Sequence, residues 1–182
     1  MKIKSLVKES MDRLFFYHLK KRRTTAYWWE LRESANQPGL SGYLKKQMYN
    51  NLMERHNAFI PMGVQFAGCP IMPHGVYGVF ISSGAQIGHN CTIFHQVTIG
   101  SNMLRDSEHC GAPIIGNNVY IGCGAKIIGN VYIGDNARIG ANCVVTMDVP
   151  ANATVVLEKP RIIQKENNIN TFTTYEKFNA GS

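Results

Sequence analysis

The sequence predicts a mainly β protein, a parallel β-helix with a short N-terminal helical segment. Three observations lead to this fold class. Ile or Val recurs at every sixth residue in two long runs, small or β-branched residues hold the fifth place of the hexads, and Gly is frequent at the second place. A fixed period of this kind indicates one structural unit that stacks on copies of itself.

The first place of each hexad is held by Ile or Val throughout both runs. These residues are Ile81, Ile87, Ile93, Ile99, Ile115, Ile121, Ile127, Ile133, Ile139 and Val145. A period of six matches neither an α-helix nor simple strand alternation, so one short strand and one turn repeat and the chain coils. We expect the aliphatic side chains to stack inside the coil, where branched residues pack well.

The fifth place is almost as restricted. It holds Ala85, Cys91, Val97, Val119, Ala125, Val131, Ala137, Cys143 and Val149. Small side chains suit the narrow corner of a triangular coil, and Gly or Asn at the neighbouring places tolerate its tight backbone. Cys91 and Cys143 are therefore predicted to be packing residues and not nucleophiles.

The repeat is interrupted once. Sixteen residues separate Ile99 from Ile115, where one hexad would take six, so residues 101–112 are predicted to leave the coil as a loop. Loops held by a rigid scaffold are common places for binding and catalysis.

The rest of the chain divides around the coil. Residues 1–57 are predicted to be a helical segment, residues 58–165 the β-helix, and residues 166–182 a C-terminal tail. In the first segment, apolar residues recur at three- and four-residue steps up to Leu19, and a second apolar cluster contains Trp28 and Trp29. We expect the two tryptophans to dock the helices onto the remainder of the protein.

Charge and cysteine content narrow the class of protein. The formal net charge is +7, but eight of the 19 Lys and Arg residues fall within the first 23 residues. We interpret them as a solvated helix face, with a face for phosphates or anionic lipid as the alternative. Five cysteines without a C-x-x-C pair argue against a disulfide framework and a closed cysteine zinc site. No segment has the roughly 18 to 20 apolar residues needed to span a bilayer, so we expect no transmembrane segment. We also expect a cytoplasmic protein without a nucleic-acid partner.

Residues 59–165 resemble the serine acetyltransferase branch of the hexapeptide-repeat acyltransferases. The motifs that carry the resemblance are Met72-Pro73-His74-Gly75, the stretch from Phe94 to Gly100, Gly111-Ala112-Pro113-Ile114-Ile115-Gly116, the stretch from Val119 to Asn130, and Pro160-Arg161-Ile162-Ile163. The resemblance implies a left-handed parallel β-helix, a homotrimer, and transfer of an acetyl group from acetyl-CoA to the hydroxyl of serine or a similar small acceptor.

The resemblance implies that His74 is the general base, since a histidine stands at this position in the family. An alcohol attacks a thioester poorly, and an imidazole, with an ordinary pKa near 6.5, takes up its proton as the attack proceeds. No covalent enzyme intermediate is needed, because the thioester is already activated. His95, at an outward-facing place of its hexad near the loop, is the second candidate catalytic residue.

Two positions depart from the family's pattern. Phe59 stands where the family has an acidic residue that orients the base, so Asp106 or Glu108 from the loop, or backbone carbonyls, would have to take that role. Gly111 and Ala112 stand where the family has an Arg-His pair. Both departures affect the serine site, which leaves a sugar or polysaccharide hydroxyl as an alternative acceptor.

The resemblance also implies a donor site along the edge of the coil. Ser101, Cys123 and Ala141 match positions where the backbone approaches the pantetheine arm, and Arg138 and Arg161 match positions near the CoA phosphates. Small residues suit the first set, because a thin chain has to lie against the backbone.

Two further classes of protein are alternatives. One is a β-helix without catalysis that serves as an assembly or binding module. The other is a zinc hydrolase of the carbonic-anhydrase type, which needs three converging histidines. The spacing of His74, His95 and His109 does not match such a site, so we predict that no metal is bound.

Overall fold

The computed structural model describes residues 27–167. The predicted basic helix before residue 27 and the end of the predicted tail lie outside the described residues. Two helices begin this described part, α1 over Tyr27–Ala35 and α2 over Leu40–Arg55. Gly39 joins them with a φ of 88°, a left-handed conformation that glycine adopts without strain.

Twelve short strands follow the helices in the described part of the chain. They are β1 (Gln65–Phe66), β2 (Phe80–Ile81), β3 (Gln86–Ile87), β4 (Thr92–Ile93), β5 (Thr98–Gly100), β6 (Ile114–Ile115), β7 (Tyr120–Ile121), β8 (Lys126–Ile128), β9 (Tyr132–Ile133), β10 (Arg138–Ile139), β11 (Val144–Val145) and β12 (Thr154–Val155). They form three parallel sheets: face 1 is β1-β3-β6-β9, face 2 is β4-β7-β10-β12, and face 3 is β2-β5-β8-β11. From β2 to β11, each strand lies on the next face in turn, so the chain winds as a triangular coil, as the hexad period predicts.

The interior of the coil is the predicted aliphatic ladder. Ile99 pairs with Ile127 on face 3, and Ile93 pairs with Ile121 on face 2. The first-place and fifth-place residues of the hexads are at most 4% exposed. Cys91 and Cys143 are buried among them, as predicted. Each such aliphatic side chain contributes about 1.5 to 3 kcal/mol relative to an exposed position.

The corners of the coil are turns at the third and fourth places of the hexads. Between faces 1 and 2, four fourth-place asparagines have φ values from 55° to 61° and form an amide ladder: Asn90 donates to Asn118, Asn118 to Asn136, and Asn136 to Asn152. We call this edge the asparagine corner. Asparagine suits it because it tolerates the left-handed conformation and its amide both donates and accepts.

Two other corners complete the triangle. The His95 corner, between faces 2 and 3, comprises the turns at residues 77–78, 95–96, 123–124 and 141–142. The loop corner, between faces 3 and 1, carries residues 101–112. This loop leaves the coil after β5 and returns before β6, and a bridge between Asn102 and Gly111 closes its base. The excursion is where the interrupted repeat predicts it.

A buried arginine fixes the helices on the first coil. Arg32 is 5% exposed and donates to the carbonyl oxygens of Met62 (3.0 Å) and Val64 (2.6 Å). Trp28 is buried beside Phe66, with ring centroids 6.0 Å apart, which confirms that this cluster docks the helices. Tyr49 donates to the carbonyl of Ile60 (2.5 Å), and burial raises the pKa of Tyr49 to about 12.

The coil ends before the predicted boundary at residue 165. The last strand, β12, ends at Val155, and residues 156–167 have no regular secondary structure and are exposed. This segment contains no continuation of the hexads, so it has no interior side chains to bury.

Candidate active site

His74 and His95 meet at the His95 corner. His74 lies in the irregular turn over residues 73–78, just before the regular hexads, and His95 lies in the turn between β4 and β5. Their Nδ1 atoms are 2.8 Å apart, and their ring centroids are 4.8 Å apart. The ring of His74 also stands edge-on to Phe94, with centroids 5.4 Å apart and an interplanar angle of 87°. The two predicted catalytic residues thus form one pair.

The contact between the two Nδ1 atoms dictates how the pair holds protons. One ring has to donate Nδ1–H and the other has to accept at its Nδ1 lone pair. In the neutral pair, the donating ring therefore has a free lone pair at Nε2, while the accepting ring carries Nε2–H. The two Nε2 atoms of the pair thus differ, since one can act as a base and the other as a hydrogen-bond donor. A second Nδ1 proton would break the contact, whereas a proton added at the free Nε2 would leave it intact.

The contact also answers what orients His74. Phe59, at the position of the family's acid, is 56% exposed and pairs with Phe80 on face 3. Asp106 and Glu108 lie in the loop at a different corner of the coil, whereas the ring of His74 contacts His95 and Phe94. Sequence reasoning named both histidines but not their contact, because His74 stands outside the hexads and the period does not place it.

Two of the predicted donor-binding residues, Cys123 and Ala141, lie at the His95 corner as well. The turns stack through backbone hydrogen bonds: Gly124 donates to the carbonyl of His95 (3.1 Å), and Asn142 donates to the carbonyl of Cys123 (2.8 Å). His95, Cys123 and Ala141 therefore follow one another down the edge of the coil, one coil apart. Cys123 is half-buried and Ala141 is exposed, so their small side chains leave this edge open.

The other predicted donor-binding residues lie elsewhere. Arg138 is exposed on face 2, one strand below Tyr120, in the coil that leads to Ala141. Ser101 lies at the loop corner, where its hydroxyl donates to Ser82 (2.9 Å). Arg161 is exposed in the segment after β12. The hexad count could have predicted the position of Ser101. Since three hexads make one coil, Ile99 lies on a different face from Ile121 and Ile139, and Ser101 therefore lies at a different corner from Cys123 and Ala141.

The described residues show no metal cluster or membrane span. Over residues 27–167, no group of three or more His, Cys, Asp or Glu side chains is arranged to hold a metal ion. His109 lies in the loop, at a different corner from the pair formed by His74 and His95. No helix within the same residues is long and apolar enough to cross a bilayer.

Known proteins match the coil and parts of the chain before it. The family described as bacterial transferase hexapeptide (six repeats) matches residues 112–146. The serine acetyltransferase of Helicobacter pylori is 42% identical over 94 residues, which are 51% of this chain and 53% of that protein. The serine acetyltransferase of Buchnera aphidicola (subspecies Schizaphis graminum) is 32% identical over 156 residues, 85% of this chain and 56% of that protein.

Solved structures agree with the sequence matches. The serine acetyltransferase of Neisseria gonorrhoeae in complex with serine superimposes with a TM-score of 0.61 at 30% identity, over 79% of this chain and 60% of that one. The chain spans about half the length of the curated relatives it matches. These comparisons confirm the predicted fold and resemblance: the chain is a left-handed parallel β-helix similar to the serine acetyltransferase branch of the hexapeptide-repeat acyltransferases.

Proposed function

We propose that this chain is an O-acetyltransferase that moves an acetyl group from acetyl-CoA to the hydroxyl of a small acceptor, with serine and a sugar as the two candidates. The observation that carries the proposal is the pair of His74 and His95 at the top of an open edge lined by small residues. The relatives named serine acetyltransferase support the same reaction class.

We assign the general base to His74 and the positioning role to His95. If His74 donates Nδ1–H to His95, its Nε2 lone pair faces the acceptor hydroxyl. That nitrogen takes the hydroxyl proton as the oxygen attacks the thioester carbonyl. The ester C–O bond forms, the C–S bond breaks, and His74 returns the proton to the departing sulfur. His95 stabilises the positive charge that His74 carries between the two proton transfers.

The donor fits the edge below the pair. Cys123 and Ala141 would lie against the pantetheine arm, and the exposed guanidinium of Arg138 is available to the phosphates. Ser101 and Arg161 would contribute from other edges, which a homotrimer brings together at its subunit boundaries. Exposed apolar residues on the outer faces, such as Ile71 (50%) and Val144 (65%), support such packing. The free cysteines fit a reducing, cytoplasmic location.

The proposal is tested by the release of free CoA thiol. The purified protein is incubated with acetyl-CoA alone, with L-serine, and with simple sugars, and thiol is followed with a chromogenic disulfide. We expect at least one hydroxyl acceptor to accelerate thiol release and to appear as its acetyl ester by mass spectrometry. If no acceptor changes the rate of thiol release, the enzyme hypothesis is refuted and a non-catalytic assembly module is favoured.

A further inference from the structure

A hollow of about 320 Å³ opens beside His95. Its lining consists of His56, Asn57, Tyr77, Gly78, Phe80, His95 and Gln96. All of them except Phe80, which lies in β2, come from three stacked turns. Backbone hydrogen bonds hold the turns together: Gly78 donates to the carbonyl of His56, and Gln96 donates to the carbonyl of Tyr77, both at 2.9 Å. The hollow is therefore preformed, and it adjoins the pair through His95, which contacts His74.

Aromatic rings form much of its wall. The rings of His56 and Tyr77 pack with their centroids 4.3 Å apart, and the Nδ1–H of His56 donates to the carbonyl of Leu52 (2.8 Å), which fixes the ring. Tyr77 is 56% exposed and Phe80 is 41% exposed. Exposed aromatic side chains of this size are available to a ligand that presents an apolar C–H surface.

The polar side-chain groups of the hollow are two amides, two imidazoles and the hydroxyl of Tyr77. None of the residues that line it carries a carboxylate, ammonium or guanidinium group. Lys126 lies close by, but its Nζ donates to the carbonyls of Gln96 (3.2 Å) and Gly124 (2.6 Å). A zwitterionic amino acid needs a partner for both of its charges when it leaves water, whereas a neutral polyol needs only hydrogen bonds and a ring to stack on.

We propose that this hollow is the acceptor subsite and that its occupant is a neutral saccharide unit. The inference rests on the proposed acetyl transfer and names the class of its acceptor. His95, which accepts from His74 at Nδ1, carries Nε2–H and donates it to one oxygen of the sugar. A neighbouring hydroxyl then reaches the free Nε2 of His74. The aromatic rings of Tyr77 and Phe80 hold the C–H surface of the ring.

The acceptor panel tests this directly. Thiol release from acetyl-CoA is measured with L-serine and with the methyl glycosides of glucose, galactose, mannose and N-acetylglucosamine. We expect the best glycoside to exceed serine in kcat/KM by at least about tenfold. Serine ahead of every glycoside would overturn the saccharide subsite and leave acetyl transfer standing. Thiol release that no acceptor accelerates would overturn both proposals.

Variants of the wall locate the subsite. Tyr77→Ala should raise the KM of the best glycoside about tenfold, the value of one lost ring contact, with no change in the KM of acetyl-CoA. Tyr77→Phe keeps the ring and should retain the wild-type KM. The control is Tyr132→Ala on face 1, because Tyr132 is similarly exposed (49%) and lies away from the hollow. An unchanged glycoside KM in Tyr77→Ala would refute this location.

Discussion

Replacement of His95 by alanine separates the two roles within the histidine pair. In the wild type, the Nδ1 atom of His95 lies 2.8 Å from the Nδ1 atom of His74. In the proposed assignment, His95→Ala deletes the acceptor and leaves the Nδ1–H of His74 without its partner. His74 stays in place, but neither its tautomer nor its ring orientation is held.

The size of the effect follows from this single hydrogen bond. When His74 takes the substrate proton, the bond becomes charge-assisted, and such bonds contribute about 1.5 to 3 kcal/mol. Since about 1.4 kcal/mol corresponds to a factor of ten in rate, kcat should fall roughly 10- to 150-fold. Loss of the general base itself costs about 10²- to 10⁴-fold. His95→Ala should therefore be impaired, but less than His74→Ala.

The assay is steady-state thiol release, with His95→Gln as the matched variant. A glutamine side-chain oxygen can accept from the Nδ1–H of His74. We therefore expect His95→Gln to recover much of the kcat that His95→Ala loses. The positioning role is refuted if His95→Ala loses more activity than His74→Ala, or if His95→Gln recovers none of the lost kcat.

Three further predictions concern the scaffold and the donor edge. The pKa of Tyr49 is about 12 in the folded protein and about 10 when unfolded, so the unfolded chain loses the proton first. The free energy of unfolding should therefore fall by roughly 3 kcal/mol as the pH rises from about 10 to 12. Tyr49→Phe should remove this slope in urea titrations, and persistence of the slope would assign it elsewhere. Asn118→Ala should cost about 1 to 3 kcal/mol by thermal unfolding, since it strains a φ of 56° and removes two ladder hydrogen bonds, whereas Asn118→Gly should cost less; equal losses would count against the strain. Ala141→Leu should raise the KM of acetyl-CoA about tenfold or more, whereas Ala151→Leu, at the same place of the asparagine corner, should not; equal values would argue against a donor on this edge.

The hexad pattern predicts the coil because each of its places has one physical role. First places enter the interior and fifth places follow the turns. At the asparagine corner and the His95 corner, fourth places adopt the left-handed conformation that Asn90 and Asn118 show. The loop follows for the same reason, since residues that break the period cannot continue the stack. The fold and the position of the loop can therefore be predicted from the sequence alone.

The contacts that build the site are harder to predict from the sequence. His74 belongs to an irregular turn, so no period relates it to His95 across 21 residues. Arg32 is similar: an arginine in an amphipathic helix is ordinarily solvated, yet here it is buried against the carbonyls of Met62 and Val64. Such contacts depend on how the residues before the regular coil dock onto it. The hydrophobic pattern within the helices or within the coil does not predict this docking.

The most direct test of acetyl transfer by this β-helix is the turnover of His74→Ala measured beside its affinity for CoA. Isothermal titration with CoA reports the donor site, and thiol release in the presence of the best acceptor reports the chemistry. We predict CoA binding within about twofold of the wild type and a kcat reduced about 10²- to 10⁴-fold. Near-normal turnover in this variant would contradict His74 as the general base.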